Sequence, residues 1–511
     1  MENFFISTAI SYTNGPPHMG HAYEVIAADV IARFKRLEGK NVFFVTGTDE
    51  HGLKVQQKAN KLNISPQALA DQMSENFIKM GQALNCSNND FIRTSEERHK
   101  KAVKEIWLRM REKGDIYLDD YSGWYSLRDE AFYQESELTK DNLGNFLSPN
   151  NTPVEWVEEK SYFFRLSEYE DKLLNLYKEN DNFLQPKSRM NEVRNFVQTG
   201  LKDISISRKG LEWGIEVPDD KDHSIYVWVD ALTNYISALQ WPDNKNLYND
   251  FWPGDLHLVG KDIIRFHAVF WPAFLLSAGL EIPKQIFAHG FILNKGEKMS
   301  KSLGNIEDPM SLVKTFGVDQ LRYFLMRETP FGSDGNYSDE LLINRVNADL
   351  SNDLGNLSQR CLTMVKKNCN QSIPQKNELN KIDLDLLNSV DLKKSTIIHL
   401  MENFQINSYI SEVFELISNT NKYFSDQKPW DLKKLDENRM NTVLWVTCEM
   451  LRRVGILLQP VIPSGSSKLL DFLCIDINHR LIDFLSNDFA LNPGDPIKDP
   501  EIIFPKIDLI K

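Results

Sequence analysis

Hydrophobic period changes twice within the first fifty residues. Phe4 to Ala9 is a short, nearly continuous apolar run and predicts a buried strand. Asn14-Gly15-Pro16-Pro17 is turn chemistry. Apolar residues then recur at Met19, Ile26, Val30, Phe34 and Leu37, the spacing of one helix face, and Gly39 is placed to end that helix. Asn41-Val42-Phe43-Phe44-Val45 predicts a second strand, so the opening segment is a β-α-β unit. Leu256 to Gly260 and Gln285 to Ala288 have the same apolar character and are assigned to the same parallel sheet. The stretch from Asp115 to Lys221 differs: it is rich in turns and aromatics, among them Trp124, Tyr125, Phe132, Tyr133, Trp156, Tyr162, Phe163 and Phe164, and reads as an insertion leaving the sheet and returning to it. Beyond residue 340 the pattern is helical, with Leu350, Leu354, Leu357 and Cys361 on one stripe, and no convincing strand is expected until the last few residues. The predicted fold class is α/β: a parallel-sheet domain with an inserted domain, followed by an all-α bundle.

A chain of 511 residues has room for several domains with cores of their own. Hydrophobic residues make up 41% and charged residues 26%, which places it among globular proteins. The longest nearly apolar run, Ala268 to Leu280, contains Pro272 and Ser277 and falls short of the roughly 18 residues a membrane span needs. Phe4-Phe5-Ile6 passes directly to Ser7 and Thr8 without a basic leader, which predicts no signal peptide. Cys86, Cys361, Cys369, Cys448 and Cys474 are odd in number and scattered, the usage of free thiols in a reducing compartment; the expected location is cytoplasmic. The net charge of −13 argues against indiscriminate nucleic-acid binding but leaves room for a local RNA surface.

Two short motifs carry the candidate chemistry. His18 and His21, in Gly15-Pro-Pro-His-Met-Gly-His21, stand where the first helix begins, and helix N-termini favour phosphate. By themselves they also fit a surface cap or half a metal site. Lys298-Met299-Ser300-Lys301-Ser302 reads as a mobile loop with two positive charges, suited to neutralising a leaving pyrophosphate, or as an ordinary solvated loop. Asp49, in Asp49-Glu50-His51-Gly52, ends the second strand, on the sheet edge where ligands of open α/β sheets bind. On residue type alone, Trp228 and His267 are as easily core as site.

Together the histidine and lysine motifs resemble the HIGH and KMSKS motifs of class I aminoacyl-tRNA synthetases. The resemblance narrows with Tyr12-Thr13-Asn14-Gly15, Thr48-Asp49-Glu50-His51-Gly52, Tyr226-Val227-Trp228-Val229-Asp230-Ala231, Gly260-Lys261-Asp262-Ile263-Ile264-Arg265-Phe266-His267 and Ala288-His289-Gly290, which look like methionyl-tRNA synthetases from end to end of the chain. It implies methionine activation by ATP and transfer to tRNA(Met), initiator tRNA included. Ile10, Tyr12, Trp228, Ala231, Leu232, Tyr235, Ile263 and His267 would line the methionine side-chain pocket, with Tyr12 or His267 offering a hydrogen bond to sulfur. Asp49 would hold the ammonium. His18, His21, Lys298 and Lys301 would serve the ATP phosphates, accompanied by Mg2+, with Gly260 and Asp262 near the ribose and Lys261 and Arg208 as further contacts. Asn356, Arg360 and Trp430 would read the anticodon; without the family, the first two are a solvent-facing stripe and Trp430 a buried anchor.

The family also implies a division into a Rossmann-type first half (1–114), a connective insertion (115–222), the second Rossmann half (223–294), a KMSKS and stem-contact segment (295–349) and a helical anticodon-binding domain (350–511). Zinc-bearing relatives carry cysteine pairs in the insertion. Here the corresponding stretches offer Ser126, Asp129, Ser148 and Asn151, so no structural zinc is expected. The chain resembles the short form without a C-terminal dimerisation module, which predicts a monomer. The alternatives are a class I nucleotidyltransferase acting without tRNA, a synthetase for another amino acid, and a catalytically silent tRNA-binding paralogue. A helical region of this length argues against the first, and intact ATP motifs argue against the last.

Overall fold

The computed structural model describes residues 2–508 apart from Leu127, Asp129, Glu130, Gln134, Asn142 and 300–306. Its central sheet contains β1 (Asn3–Thr8), β2 (Asn41–Asp49), β3 (Asp90–Arg93), β4 (Leu184–Gln185), β5 (Leu256–Gly260) and β6 (Ile286–His289). They run in the order β4-β6-β5-β1-β2-β3, with every pairing parallel; the two-residue strand Ser11–Tyr12 also pairs with the end of β2. From β1 the chain adds β2 and β3 on one side; on the other side it lays β4 at the far edge, then β5 beside β1 and β6 between β4 and β5, so the order reverses between β1 and β5.

Successive side chains on a strand point to opposite faces, and here both faces are covered. Ile6, Phe44 and Leu258 join the core beneath α1 (Met19–Leu37), which is continuous with the core of the C-terminal helices. Phe5, Val45 and Val259 point the other way, into a second core with Trp107, Tyr235 and Trp271. Gly39, in the left-handed region at φ 81°, follows the last turn of α1 and returns the chain to β2. The predicted strands and helix are thus present, and β2 extends four residues further than the apolar run suggested, through Asp49.

Part of the aromatic segment forms a separate antiparallel sheet, whereas Leu184–Gln185, inside the stretch expected as the insertion, joins the central sheet as β4. Ile116–Ser126 pairs along its length with Glu155–Phe164, flanked by Ala131–Tyr133 and Ile204–Ser205. After residue 340 the chain is helical, as expected. Of the last few residues, where a strand was anticipated, 509–511 lie outside the described residues; 498–508 carry no strand, and Ile503 and Phe504 bury their side chains against the helical core. The apolar spacing there reflects docking onto helices rather than ladder formation.

A buried charge pair joins the layers. On the helix Val318–Glu328, the fully buried Arg322 donates to the carbonyls of Leu84, Pro460 and Val461 at 3.1, 2.9 and 3.1 Å, and its guanidinium lies 2.7 Å from Asp29 of α1. Asp29 also receives Arg33 at 2.7 Å and the backbone N–H and hydroxyl of Ser87, each at 2.6 Å. Burial pushes the Asp29 carboxyl up, but the charges of Arg322 and Arg33 and these hydrogen bonds outweigh it and hold it below the usual range. A depressed carboxylate stabilises the fold above its unfolded pKa, and that contribution is lost as pH falls through the lower folded value. Arg322→Met is expected to lower unfolding stability by about 3–5 kcal/mol near neutral pH, because it leaves Asp29 buried without its main countercharge. In urea denaturation this deficit should shrink as pH is lowered past about 4. A deficit that is absent, or that grows in acid, would contradict the assignment.

Candidate active site at the carboxyl edge of the sheet

The edge where the strand order reverses is the expected place for a ligand crevice. His18 caps α1 from an extended conformation: its Nδ1 accepts the Gly20 N–H at 3.1 Å, while His21 Nδ1 accepts the His18 N–H at 3.1 Å. With both Nδ1 atoms acting as acceptors, each neutral ring carries its proton on Nε2. The rings lie 3.8 Å apart between centroids. A Cβ at Gly20 would stand 3.0 Å from the His18 ring, so a larger residue there would crowd the cap. A helix N-terminus with two imidazole donors is an anion-binding arrangement.

One turn further along α1, Glu24 lies 2.7 Å from His289 Nε2 at the end of β6, and His289 Nδ1 is 2.8 Å from the Gly290 carbonyl. Nδ1 donates to the Gly290 carbonyl, and Nε2 and the Glu24 carboxyl share one proton, with burial pushing the Glu24 carboxyl up. Burial lowers the His289 pKa, and the hydrogen bond and charge of Glu24 more than reverse that. Gly260 ends β5 beside this pair, and the Asp262 carboxylate acts electrostatically on both partners. The sequence reading missed Glu24 and gave no role to His289, which it quoted only within Ala288-His289-Gly290; three-residue spacing from His21 was the only local signal for Glu24.

On the other side of β1, Tyr12 and Asp49 are paired across adjacent strands. The Asp49 carbonyl accepts both the backbone N–H (3.0 Å) and hydroxyl (3.1 Å) of Thr13. The next residue faces backward: Glu50 is buried and takes hydrogen bonds from Thr48, Ser74 and Arg93, and its carbonyl accepts the Trp213 indole N–H at 2.5 Å.

An aromatic cage adjoins these residues. Trp228 stacks on Phe266 at 3.6 Å and meets His267 edge-on at 6.2 Å. Tyr235 Oη is 2.6 Å from His267 Nε2, and His267 Nδ1 is 2.9 Å from the Ile263 carbonyl. Burial lowers His267 to about 4, so the ring is neutral near pH 7. The Ile263 carbonyl fixes its proton on Nδ1, and Nε2 accepts from Tyr235; in this arrangement His267 has no N–H left to direct at a ligand. Tyr235 also stacks at 4.0 Å on His257, whose Nδ1 is 2.7 Å from Ser7 Oγ. Ala231 and Leu232 are buried, while Ile10, Trp228 and Ile263 pack at the margin of the same core. Phe266–Phe270 forms a π-helical turn, a local widening that recurs at functional sites.

Other candidates are distributed differently. Lys298 belongs by its backbone to a strand pairing with Ile292–Asn294, whereas Lys301 and the rest of the pentad from Ser300 lie outside the described residues. Lys261 forms an ion pair with Asp334 at 2.7 Å, and Arg208 lies over the rings of Tyr125 and Tyr226. On the helix Asn356–Asn368, Asn356 and Arg360 are exposed one turn apart, with Arg360 5.8 Å from the Trp430 ring centroid. Trp430 is 44% exposed, which removes the buried-anchor reading.

In the antiparallel insertion, the Thr152 hydroxyl is 2.6 Å from Ser126 Oγ and 2.8 Å from Ser148 Oγ, all three buried. Asn151 turns through φ 57° beside them, and Asp129 lies outside the described residues. Neutral hydroxyls that already bind one another do not fit a structural zinc site, which is built from thiolates and imidazoles.

The reversal of strand order, the histidine-capped first helix and the helical C-terminal region accord with a class I tRNA synthetase. The family model described as tRNA synthetases class I (M) matches residues 4–362, and that of the anticodon binding domain of methionyl tRNA ligase matches 373–509. The methionine–tRNA ligase of Brucella suis biovar 1 is 53% identical over 506 residues, 99% of this chain and 98% of that protein. Mycobacterium tuberculosis methionyl-tRNA synthetase in complex with methionyl-adenylate superposes with a TM-score of 0.96 at 50% identity, covering 99% of this chain and 100% of the other. The apo form of the Mycobacterium tuberculosis enzyme gives 0.90 at 46% identity, covering 100% of this chain and 99% of the other. The chain belongs to the methionyl-tRNA synthetase family.

Proposed function

We propose that this chain is a methionine–tRNA ligase that activates L-methionine with ATP and transfers it to the 3′ end of tRNA(Met), initiator tRNA included. The observations supporting this most directly are the links between Asp49, the Trp228–Tyr235–His267 cage and the start of α1: His51, two residues after Asp49, lies 2.7 Å from Asp230 of the cage helix, and Glu24, on the first turns of the histidine-capped α1, acts electrostatically on Tyr235. A thioether is soft and apolar and packs well against aromatic rings, so Ile10, Tyr12, Trp228, Ala231, Leu232, Tyr235, Ile263 and His267 suit the methionine side chain. Asp49 takes the ammonium. His18 and His21 donate to ATP phosphates, with Lys298 and Lys301 closing on them. Gly260, Asp262 and the Glu24–His289 pair surround the ribose. Magnesium enters bound to ATP and balances its phosphate charge.

The methionine carboxylate attacks the α-phosphorus, the bond to the bridging oxygen breaks and pyrophosphate leaves. A ribose hydroxyl of the terminal adenosine of tRNA then attacks the methionyl carbonyl, and AMP departs. No side chain forms a covalent intermediate; catalysis is positioning plus stabilisation of charge on phosphate. Two Rossmann halves within 1–114 and 223–294 supply this chemistry, the connective insertion (115–222) flanks it, and 295–349 connects to a helical domain (350–511). There Asn356, Arg360 and Trp430 read the anticodon by hydrogen bonding and stacking. In this reading the enzyme acts as a cytoplasmic monomer whose insertion is held by packing and hydroxyl hydrogen bonds rather than zinc. No helix among the described residues is long and apolar enough to cross a membrane.

In ATP–pyrophosphate exchange with each of the twenty amino acids, methionine should be the best substrate, and stronger stimulation by leucine, isoleucine or cysteine would refute the assignment. Asp49→Ala should reduce methionine-dependent exchange by the equivalent of about 2–5 kcal/mol, the cost of leaving a bound charge unpaired. Exchange at the wild-type level would remove Asp49 from the ammonium site.

Trp430→Ala should weaken aminoacylation of tRNA by about 1–3 kcal/mol, the value of one base stacked on an aromatic ring, and leave exchange without tRNA unchanged. Equal losses in both assays would make Trp430 a structural residue.

A further inference from the structure

Three elements around the cage meet at one carboxylate that the proposed chemistry does not use. Asp230 is 1% exposed. Its Oδ2 lies 2.7 Å from His51 Nδ1 and its Oδ1 lies 2.7 Å from His99 Nε2; His99 Nδ1 is in turn 2.8 Å from Ser237 Oγ. Each ring must present an N–H to the carboxylate, so Asp230 accepts from both. His51 follows Asp49 by two residues at the carboxyl end of β2 and packs edge-on against Trp213 at 5.3 Å. His99 is fully buried in the helix Glu97–Glu112.

Helical rotation explains why the carboxylate sits there. Asp230 belongs to the short helix Val227–Leu232. At about 100° per residue, Trp228 and Ala231 share the cage-facing side, while Asp230, two residues from Trp228, faces away from it. The back of the cage helix is therefore tied to the strand end that carries Asp49. Burial would raise the Asp230 carboxyl, but the charge of His51 and hydrogen bonds from His51 and His99 outweigh it and hold the group at about 2.

We infer that Asp230 is a positioning residue that sets the span between Asp49 and the Trp228–Ala231–Leu232 wall, and so the length of amino acid the site accepts. This rests on the reading of those residues as the ammonium partner and the side-chain pocket. A free amino acid has only two grips, its ammonium and its side chain, and a change of even an ångström between them is felt in binding and reaction alike. ATP is held on the other side of β1, by the start of α1 and the ends of β5 and β6, so its binding does not depend on this tie.

The experiment measures pyrophosphate exchange with methionine and with ethionine, which is longer by one methylene, in wild type and in Asp230→Asn. The variant should show a KM for methionine raised by about tenfold or more, with the KM for ATP changed less than about twofold and the preference for methionine over ethionine reduced. A second pair keeps the test open should Asp230→Asn not fold. His51→Gln retains an N–H for Asp230 and should keep most of the wild-type preference, whereas His51→Leu should lose it. Unchanged methionine KM and preference, or KM values for methionine and ATP that rise together, would overturn the inference. So would failure of both Asp230→Asn and His51→Leu to fold, which would make the carboxylate an anchor of the whole domain. Wild-type protein that does not exchange with methionine would instead refute the pocket reading itself, whatever the variants do.

Discussion

Parallel pairing of β1 with β2 on one side and β5 on the other is the constraint on which the rest depends. It forces the carboxyl ends of strands drawn from opposite halves of the chain to a common edge, and the reversal of strand order leaves a crevice there. Thr8, Asp49, Gly260 and His289 arrive at that edge because their strands end there. The α1 N-terminus, with its dipole and capping imidazoles, is delivered to it by the turn after β1. Burial of both sheet faces fixes the register, since slipping any strand by one residue would exchange Phe5 with Ile6, or Phe44 with Val45, between two differently shaped cores.

Buried charge then locks the layers at a few points. Asp29–Arg322 joins α1 to the helix Val318–Glu328, Asp230 joins the cage helix to the end of β2, and Glu24–His289 joins α1 to β6. Within the bundle, Glu449 holds Arg452 and Arg453 of its own helix, Glu437–Leu458, at 2.6 and 2.7 Å, and these two reach other elements by donating to the carbonyls of Phe484 at 2.6 Å and Leu387 at 2.9 Å. Such pairs add little net stability compared with well-packed apolar groups, but an unpaired charge in the interior is costly, so each resists rearrangement of the elements it joins. Rigid placement is what a reaction catalysed by positioning and electrostatics requires.

Much of this architecture was legible in the residues. The first β-α-β unit, the sheet membership of 256–260 and 285–288, the aromatic insertion and the helical C-terminal region all follow from period and turn chemistry, because these are local signals. The histidine motif was legible for the same reason: cap, glycine and helix are contiguous. What escaped was non-local. Nothing in the local sequence pairs Glu24 with His289, Asp230 with His51 and His99, or Arg322 with Asp29, since each partner is brought in by tertiary packing. The π-helical turn at Phe266–Phe270 breaks the period on which such reading relies. The C-terminal apolar residues were misread as a strand because docking of Ile503 and Phe504 onto helices leaves the same short apolar spacing.

The central claim is that the aromatic cage and the capped helix are two halves of one site, spanned by a single aminoacyl-adenylate. Calorimetric titration with a non-hydrolysable methionyl-adenylate analogue tests it most directly. The account predicts one binding site per chain and an affinity at least about 100-fold tighter than methionine or ATP alone, as expected when two grips are joined by a linker of matching length. Saturating methionine and saturating ATP should each compete with the analogue. Affinity no better than the tighter of the two substrates, or failure of either to compete, would separate the cage from the phosphate site and contradict the account.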